Sequence, residues 1–230
     1  MPGEVAGLLT IRSVTIDLDG TLVDTVPDLA AAANGMLREL GRRELGVDTV
    51  ATFVGRGIPR LVERCVPDLA GDALAQAQAV FRRHYAIENG RRSKLFPGVL
   101  DGLQAFRAAG LRMAVITNKA AAFTEPLLIA TQLAPWFEFA VSGDSLPEKK
   151  PHPLPLLHAC QRLGSEPAEN LHIGDSRNDA AAARAAGCPV FLVPYGYSEG
   201  ATVQGIDCDA IVTSLVEASR RVASADFPKT

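Results

Sequence analysis

Asp17 and Asp19 stand two residues apart at the end of a β-branched run, Val14-Thr15-Ile16, and lead into Gly20 and Thr21. A carboxylate at a strand end can attack phosphorus and form an acyl phosphate that water later hydrolyses. A second carboxylate two positions on can protonate the leaving oxygen and then take a proton from that water. Gly20 lets the chain turn sharply and expose backbone N–H groups to a phosphate. The same residues also suit a plain surface turn, where Asp-Gly is common. Thr117-Asn118 can donate hydrogen bonds to a phosphoryl group, although alone they read as the start of a turn. Lys150, within Lys149-Lys150-Pro151-His152-Pro153, can set an ammonium against phosphate and acids, and the two prolines point to a rigid segment. Asp175 and Asp179, within Gly174-Asp175-Ser176-Arg177-Asn178-Asp179, suit an oxygen-ligated Mg²⁺. Asp17, Asp175 and one backbone carbonyl would suffice as its protein ligands, and Asp179 can cap a helix at the same time. Four acids held together without a cation would raise one another's pKa, so a metal or Lys150 is physically needed.

The elements that must position these groups follow from periodicity. Strands are expected at Val14–Ile16, Met113–Ile116, Phe139–Val141, Leu171–Ile173, Val190–Val193 and Ala210–Val212. Helices are expected over about 28–40, 100–109, 124–133, 154–163 and 180–186, with Gly110 and Gly187 as stops. Such alternation implies a parallel sheet covered on both faces. Between Asp24 and Leu95 the pattern is helical only, and the segment reads as an insertion lying over the carboxyl ends of the strands. Ligands of open parallel sheets bind at those ends. All the residues above would therefore meet in one crevice.

Composition excludes several alternatives. Of the 230 residues, 47% are hydrophobic and 21% charged, which rules out disorder and coiled coil. A net charge of −3 without a basic stripe gives no support for nucleic acid or an anionic membrane as partner. No apolar run is long enough for a membrane span, and residues 1–16 lack the pattern of a secretory leader. Cys65, Cys160, Cys188 and Cys208 form no CxxC pair and suit a reducing compartment, so a cytoplasmic protein is expected. His84, His158 and His172 read as structural, Trp136 as packing, and the lone Gly55-Arg56-Gly57 is weak as a dinucleotide motif.

The stretch Asp17-Leu18-Asp19-Gly20-Thr21-Leu22-Val23-Asp24, with Thr117-Asn118, Lys150-Pro151 and Gly174-Asp175-Ser176-Arg177-Asn178-Asp179, resembles the four motifs of the haloacid dehalogenase (HAD) superfamily. The second Asp of the first motif implies its phosphatase branch. Phe53-Val54-Gly55-Arg56-Gly57, Lys94-Leu95-Phe96-Pro97-Gly98-Val99, Thr117-Asn118-Lys119 and Tyr195-Gly196-Tyr197 are similar to segments of the bacterial phosphoglycolate phosphatase family. The resemblance implies an α/β fold, a Rossmann-like parallel sheet core over 1–23 and 96–230, with an inserted α-helical cap domain over 24–95. It implies Mg²⁺ as cofactor, with Asp17 as nucleophile and ligand, Asp19 as acid/base and ligand through its carbonyl, Asp175 as third ligand and Asp179 in support. Thr117, Asn118 and Lys150 would hold phosphate. The implied partner is a small phosphorylated metabolite, first 2-phosphoglycolate, handled by a monomer or homodimer. A sugar phosphate such as N-acetylmuramic acid 6-phosphate, a nucleotide, or a β-phosphoglucomutase-like transfer are the alternatives in the same fold, and a non-catalytic metabolite-binding protein is a remote one. Arg56 stands where Gly-Asn-Gly is expected, and its guanidinium could pair with a substrate carboxylate.

Overall fold

Residues 10–224 are described by the computed structural model of the chain. The reading of the first residues as lacking a leader therefore lies, for 1–9, outside the described residues. The chain begins with β1 (Ser13–Ile16) and β2 (Val23–Asp24), then four helices, α1 (Val26–Glu39), α2 (Val47–Ala51), α3 (Ile58–Cys65) and α4 (Gly71–Glu88). After β3 (Lys94–Leu95) it alternates through α5 (Val99–Ala108), β4 (Arg112–Ile116), α6 (Ala121–Ala130), β5 (Phe139–Val141), α7 (Leu154–Leu163) and β6 (Asn170–Gly174). It closes with α8 (Arg177–Ala186), β7 (Val190–Leu192), β8 (Ala210–Ile211) and α9 (Leu215–Ser224). Six strands form one sheet in the order β5-β4-β1-β6-β7-β8, and every pairing is parallel. This is the α/β Rossmann-like architecture expected from the alternation.

The central strand explains the sheet's hold on the site. All four residues of β1 are buried, because parallel strands are covered on both faces. Its two polar side chains are matched across the sheet: Ser13 Oγ donates to Asn170 Oδ1 at 2.8 Å, and Thr15 Oγ1 lies 3.1 Å from His172 Nδ1. One apolar cluster, including Leu103, Phe106 and Phe191, fills one face, and a second, including Leu156 and Ala183, fills the other. The helical segment has an apolar core of its own, built on Met36, Leu37, Val62, Phe81 and Tyr85. Among the described residues no helix is long and apolar enough to cross a membrane.

Three local features differ from the sequence reading. The helical segment is bracketed by a two-stranded antiparallel ribbon, Val23 opposite Leu95 and Asp24 opposite Lys94, too short for any period to reveal. Helix α6 starts and stops about three residues early, because Gln132 takes a left-handed φ of 58° and supplies the stop that glycine would normally supply. Helix α9 was not anticipated; it packs where Gly102 leaves room, since a Cβ there would lie 2.4 Å from Leu215 Cβ.

Asp28, fully buried in the first turn of α1, ties the returning chain to the departing one. Its carboxylate accepts from the backbone N–H groups of Gly90 and Arg92 at 2.8 Å and of Ser93 at 3.1 Å, and from Ser93 Oγ at 2.5 Å. Removing the acceptor would strand several buried donors together. Asp28→Ala is expected to lose roughly 3–5 kcal/mol of stability, read as a lowered urea midpoint, whereas Asp28→Asn keeps part of it.

Candidate active site

At β1 the sheet's connections part to either side, β4 on one edge and β6 on the other, leaving a crevice beyond the strand ends. Asp17 and Asp19 enter it from β1, Thr117, Asn118 and Lys119 from β4, Asp175 from β6, and Lys150 from the segment before α7. Leu29, Val54, Ile58, Leu61 and Tyr85 of the helical segment face them and complete a cavity of about 50 Å³. By volume that holds a few water molecules, since one needs about 10–15 Å³ on this measure.

Lys150 is the electrostatic centre. Its Nζ donates to Asp179 Oδ1 at 2.6 Å and to the Ile116 carbonyl at 2.8 Å, and it forms an ion pair with Asp17 Oδ1 at 2.8 Å. Burial works against its charge, but Asp17 and Asp179 outweigh it and the pKa rises. Asp179 is saturated from both sides. Its Oδ1 also meets His172 Nε2 at 3.1 Å, and its Oδ2 accepts from Ser176 Oγ at 2.5 Å and from the N–H groups of Ser176 and Asp175 at 3.1 and 3.3 Å. With Ser176 it forms the capping box of α8, so the capping role foreseen for Asp179 coexists with its place under the site. Burial opposes ionisation of Asp179, yet Lys150 and His172 overcome it and hold the carboxyl well below its ordinary range. Burial keeps His172 itself below its usual pKa.

The other two acids are in the opposite situation. Burial pushes Asp17 up to about 7 despite Lys150, with Asp179 adding to the rise. Asp175 is raised well above its ordinary value, by burial first and then by Asp179 and Asp17. Asp17 Oδ1 makes no directed hydrogen bond: Lys150 is close enough for an ion pair but lies off the hydrogen-bonding direction. One oxygen each of Asp17, Asp175 and Asp179 lie within 4.8 Å of one another. A divalent cation fits this set, because it relieves the repulsion and gives the unpartnered oxygen a ligand. Asp17 and Asp175 are the carboxylates free to bind it, since Asp179 is already spoken for.

The sequence-expected residues do not all face the cavity alike. Asn118 uses its amide nitrogen to bridge two backbone carbonyls, Gly55 at 3.0 Å and Lys150 at 2.9 Å, and so joins the helical segment to the lysine loop. Thr117 lines the cavity, and its Oγ1 accepts from the Lys119 N–H at 3.2 Å. Arg56 is turned away. Its side chain is 57% exposed and pairs through Nε with Glu199 Oε1 at 2.6 Å, leaving Gly55 and Gly57 as the wall. Four participants were given no role from the sequence: Lys119, Tyr85, Thr25 and Tyr197. Lys119 Nζ donates to Asp19 Oδ1 at 2.9 Å and to Tyr85 Oη at 2.6 Å, and Thr25 Oγ1 donates to the same Asp19 oxygen at 2.6 Å. Tyr197 donates its backbone N–H to Asp175 Oδ2 at 2.6 Å and its hydroxyl to Asp24 Oδ1 at 2.7 Å. The adjacency of Lys119 to Thr117-Asn118 was the available signal for the first. Tyr197 stood within a segment that carries the family resemblance, but without a role.

A family model described as haloacid dehalogenase-like hydrolase matches residues 11–187. The chain belongs to the haloacid dehalogenase-like hydrolases. This hydrolase is 53% identical over 219 residues to a protein of Nitrosospira multiformis named phosphoglycolate phosphatase, covering 93% of this chain and 96% of that one. It is 54% identical over 224 residues to one of the same name from Thiobacillus denitrificans, covering 94% and 98%. A crystal structure described as a predicted phosphoglycolate phosphatase from Haemophilus somnus superposes with a TM-score of 0.87 at 32% identity, covering 91% of this chain and 97% of the other.

The hydrolase keeps Asp175 in place with glycine backbone. A Cβ on Gly196 would sit 2.2 Å from Asp175 Oδ2 and 2.3 Å from its Cβ, so no side chain fits there. Gly196→Ala is expected to displace Asp175 and cut kcat by about 100-fold, the scale of an ångström's misplacement in a site, with an unchanged far-UV circular dichroism spectrum. Full activity would show that Asp175 tolerates the move.

Proposed function

We propose that the chain hydrolyses 2-phosphoglycolate to glycolate and inorganic phosphate through an aspartyl phosphate on Asp17. The observation that carries this reading is the meeting of Asp17, paired with Lys150, and Asp19, paired with Lys119, under an apolar roof, in a chain more than half identical, nearly end to end, to proteins named phosphoglycolate phosphatase. On this reading residues 24–95 are the cap, and 1–23 with 96–230 the catalytic core.

The chemistry runs in two halves. An Asp17 carboxylate oxygen attacks phosphorus, the P–O bond to the glycolate oxygen breaks, and protonated Asp19 gives its proton to that oxygen. Asp19, now a carboxylate, takes a proton from water, whose oxygen attacks the same phosphorus and frees Asp17 and phosphate. Thr25 and Lys119 hold one oxygen of Asp19 throughout, which leaves the other for proton transfer. Lys150 neutralises charge beside the nucleophile, and Thr117 offers a hydroxyl to the phosphoryl oxygens. Asn118 contributes by fixing Lys150 and the Gly55 loop around the phosphate. Asp17, Asp175 and the Asp19 carbonyl, with Asp179 behind them, would hold Mg²⁺, which when bound would neutralise charge on the phosphate oxygens. The apolar roof shields the acyl phosphate from bulk water.

Phosphate release across 2-phosphoglycolate, sugar phosphates and nucleotides tests the reading. A lead for 2-phosphoglycolate of tenfold or more in kcat/KM, about 1.4 kcal/mol, is expected. A flat profile would sink the substrate assignment and leave the phosphatase chemistry standing. Asp17→Asn is expected to abolish turnover without loss of fold, and retained activity would rule out the covalent route. Chelation is expected to stop turnover and Mg²⁺ to restore it. At a hundredfold excess over Kd, Mg²⁺ should also add about 2.7 kcal/mol of stability to the wild type and far less to Asp175→Asn.

A further inference from the structure

We infer that Lys119 recognises a carboxylate on the leaving group of the ester and so sets the preference for an acidic substrate. The inference rests on the assignment of Asp19 to the leaving oxygen made above. Among the described residues, two ammonium groups line the cavity, and their surroundings differ. Lys150 is met by three oxygens: it donates to Asp179 and to the Ile116 carbonyl and forms an ion pair with Asp17. Lys119 is equally buried but is met by two, those of Asp19 and Tyr85. An ammonium carries three donors, so one N–H of Lys119 is left for whatever enters the cavity.

Position decides what that donor meets. Lys150 sits beside the nucleophile. Lys119 Nζ sits 2.9 Å from Asp19 Oδ1, on the carboxyl whose other oxygen serves the leaving group. In 2-phosphoglycolate the carboxylate is one methylene from the leaving oxygen, so a substrate that reaches Asp19 brings its second anion to Lys119. Beyond the two lysines, no cation lines the cavity among the described residues. Leu29, Val54, Ile58 and Leu61 are apolar, and the Arg56 guanidinium is turned out to Glu199. Asp19 and Tyr85 hold the ammonium from two sides, so little rotamer freedom remains to be lost when the anion binds. The specificity element is thus a core lysine fixed from the cap by one phenol. A neutral ester would leave the buried N–H without a partner, which penalises it.

The test compares kcat/KM for 2-phosphoglycolate and for ethyl phosphate, which lacks only the carboxylate, in wild type, Lys119→Met and Lys119→Arg. Wild type is expected to prefer 2-phosphoglycolate at least tenfold. In Lys119→Met that preference ratio should fall by roughly 10–100-fold, the scale of one charge-assisted hydrogen bond. Both rates will also drop through the loosened Asp19, and the ratio is insensitive to that. Lys119→Arg should restore part of the ratio. An unchanged ratio in Lys119→Met, with both rates lowered equally, would reduce Lys119 to a positioning residue for Asp19 and overturn the inference. A wild type with no preference would overturn the substrate reading itself, and the recognition role with it. Should Lys119→Met not fold, Lys119→Gln gives the same comparison, with circular dichroism as the check.

Discussion

Everything at the strand ends depends on one buried ammonium between two carboxylates. Lys150 touches Asp17 and Asp179 at once, and without it three buried acids would lie together with no cation against them. Buried ion pairs seldom add net stability, because desolvation offsets the attraction. The structure spends its backbone on keeping this one in register. The Ile116 carbonyl at the end of β4 accepts a hydrogen bond from the Lys150 ammonium, and the Asn118 amide grips the Lys150 carbonyl. On the far side, His172 and the first turn of α8 leave Asp179 no freedom to relax. Asp179 is thus a fixed charge, and Lys150 can be aimed at Asp17 only because its other contacts are already set.

That division makes sense of four acids with unequal fates. Asp179, fully bonded, stays ionised and serves as foundation. Asp17 and Asp175, buried with fewer donors, are driven toward protonation and remain receptive to a cation. Asp19 lies on the other side of the cavity, where Thr25 and Lys119 hold one of its oxygens. Four residues of one chemical type therefore have separate roles, and the difference comes from hydrogen-bond partners contributed by β4, α8 and the turn after β1.

Much of this was legible in the sequence, and the limits are physical. Asp17, Asp19, Thr117, Asn118, Lys150, Asp175 and Asp179 could be picked out because parallel strands end abruptly and the polar residue after an apolar run is conspicuous. The sheet followed from the same runs. What escaped depends on partners distant in the chain. Lys119 is separated from Asp19 by 100 positions and Tyr85 from Lys119 by 34, and only the folded chain shows that they meet. Arg56 misled for the converse reason: a guanidinium between two glycines looks free to enter a pocket, whereas the fold offers it Glu199, 143 residues on. Two-residue strands and a helix stop supplied by Gln132 carry no periodic or glycine signal at all.

The contacts between the helical segment and the sheet are also graded in strength. At the rim, Arg56 meets Glu199, and Lys149 Nζ donates to the Arg56 carbonyl at 3.0 Å; these bonds are exposed and each contributes about 0–1 kcal/mol. Deep in the cavity the contact is different in kind, a buried ammonium shared between Asp19 of the core and Tyr85 of α4. The rim bonds are the weaker link between the helical segment and the sheet. The buried link ties the position of Asp19 to that of α4 through a single nitrogen atom.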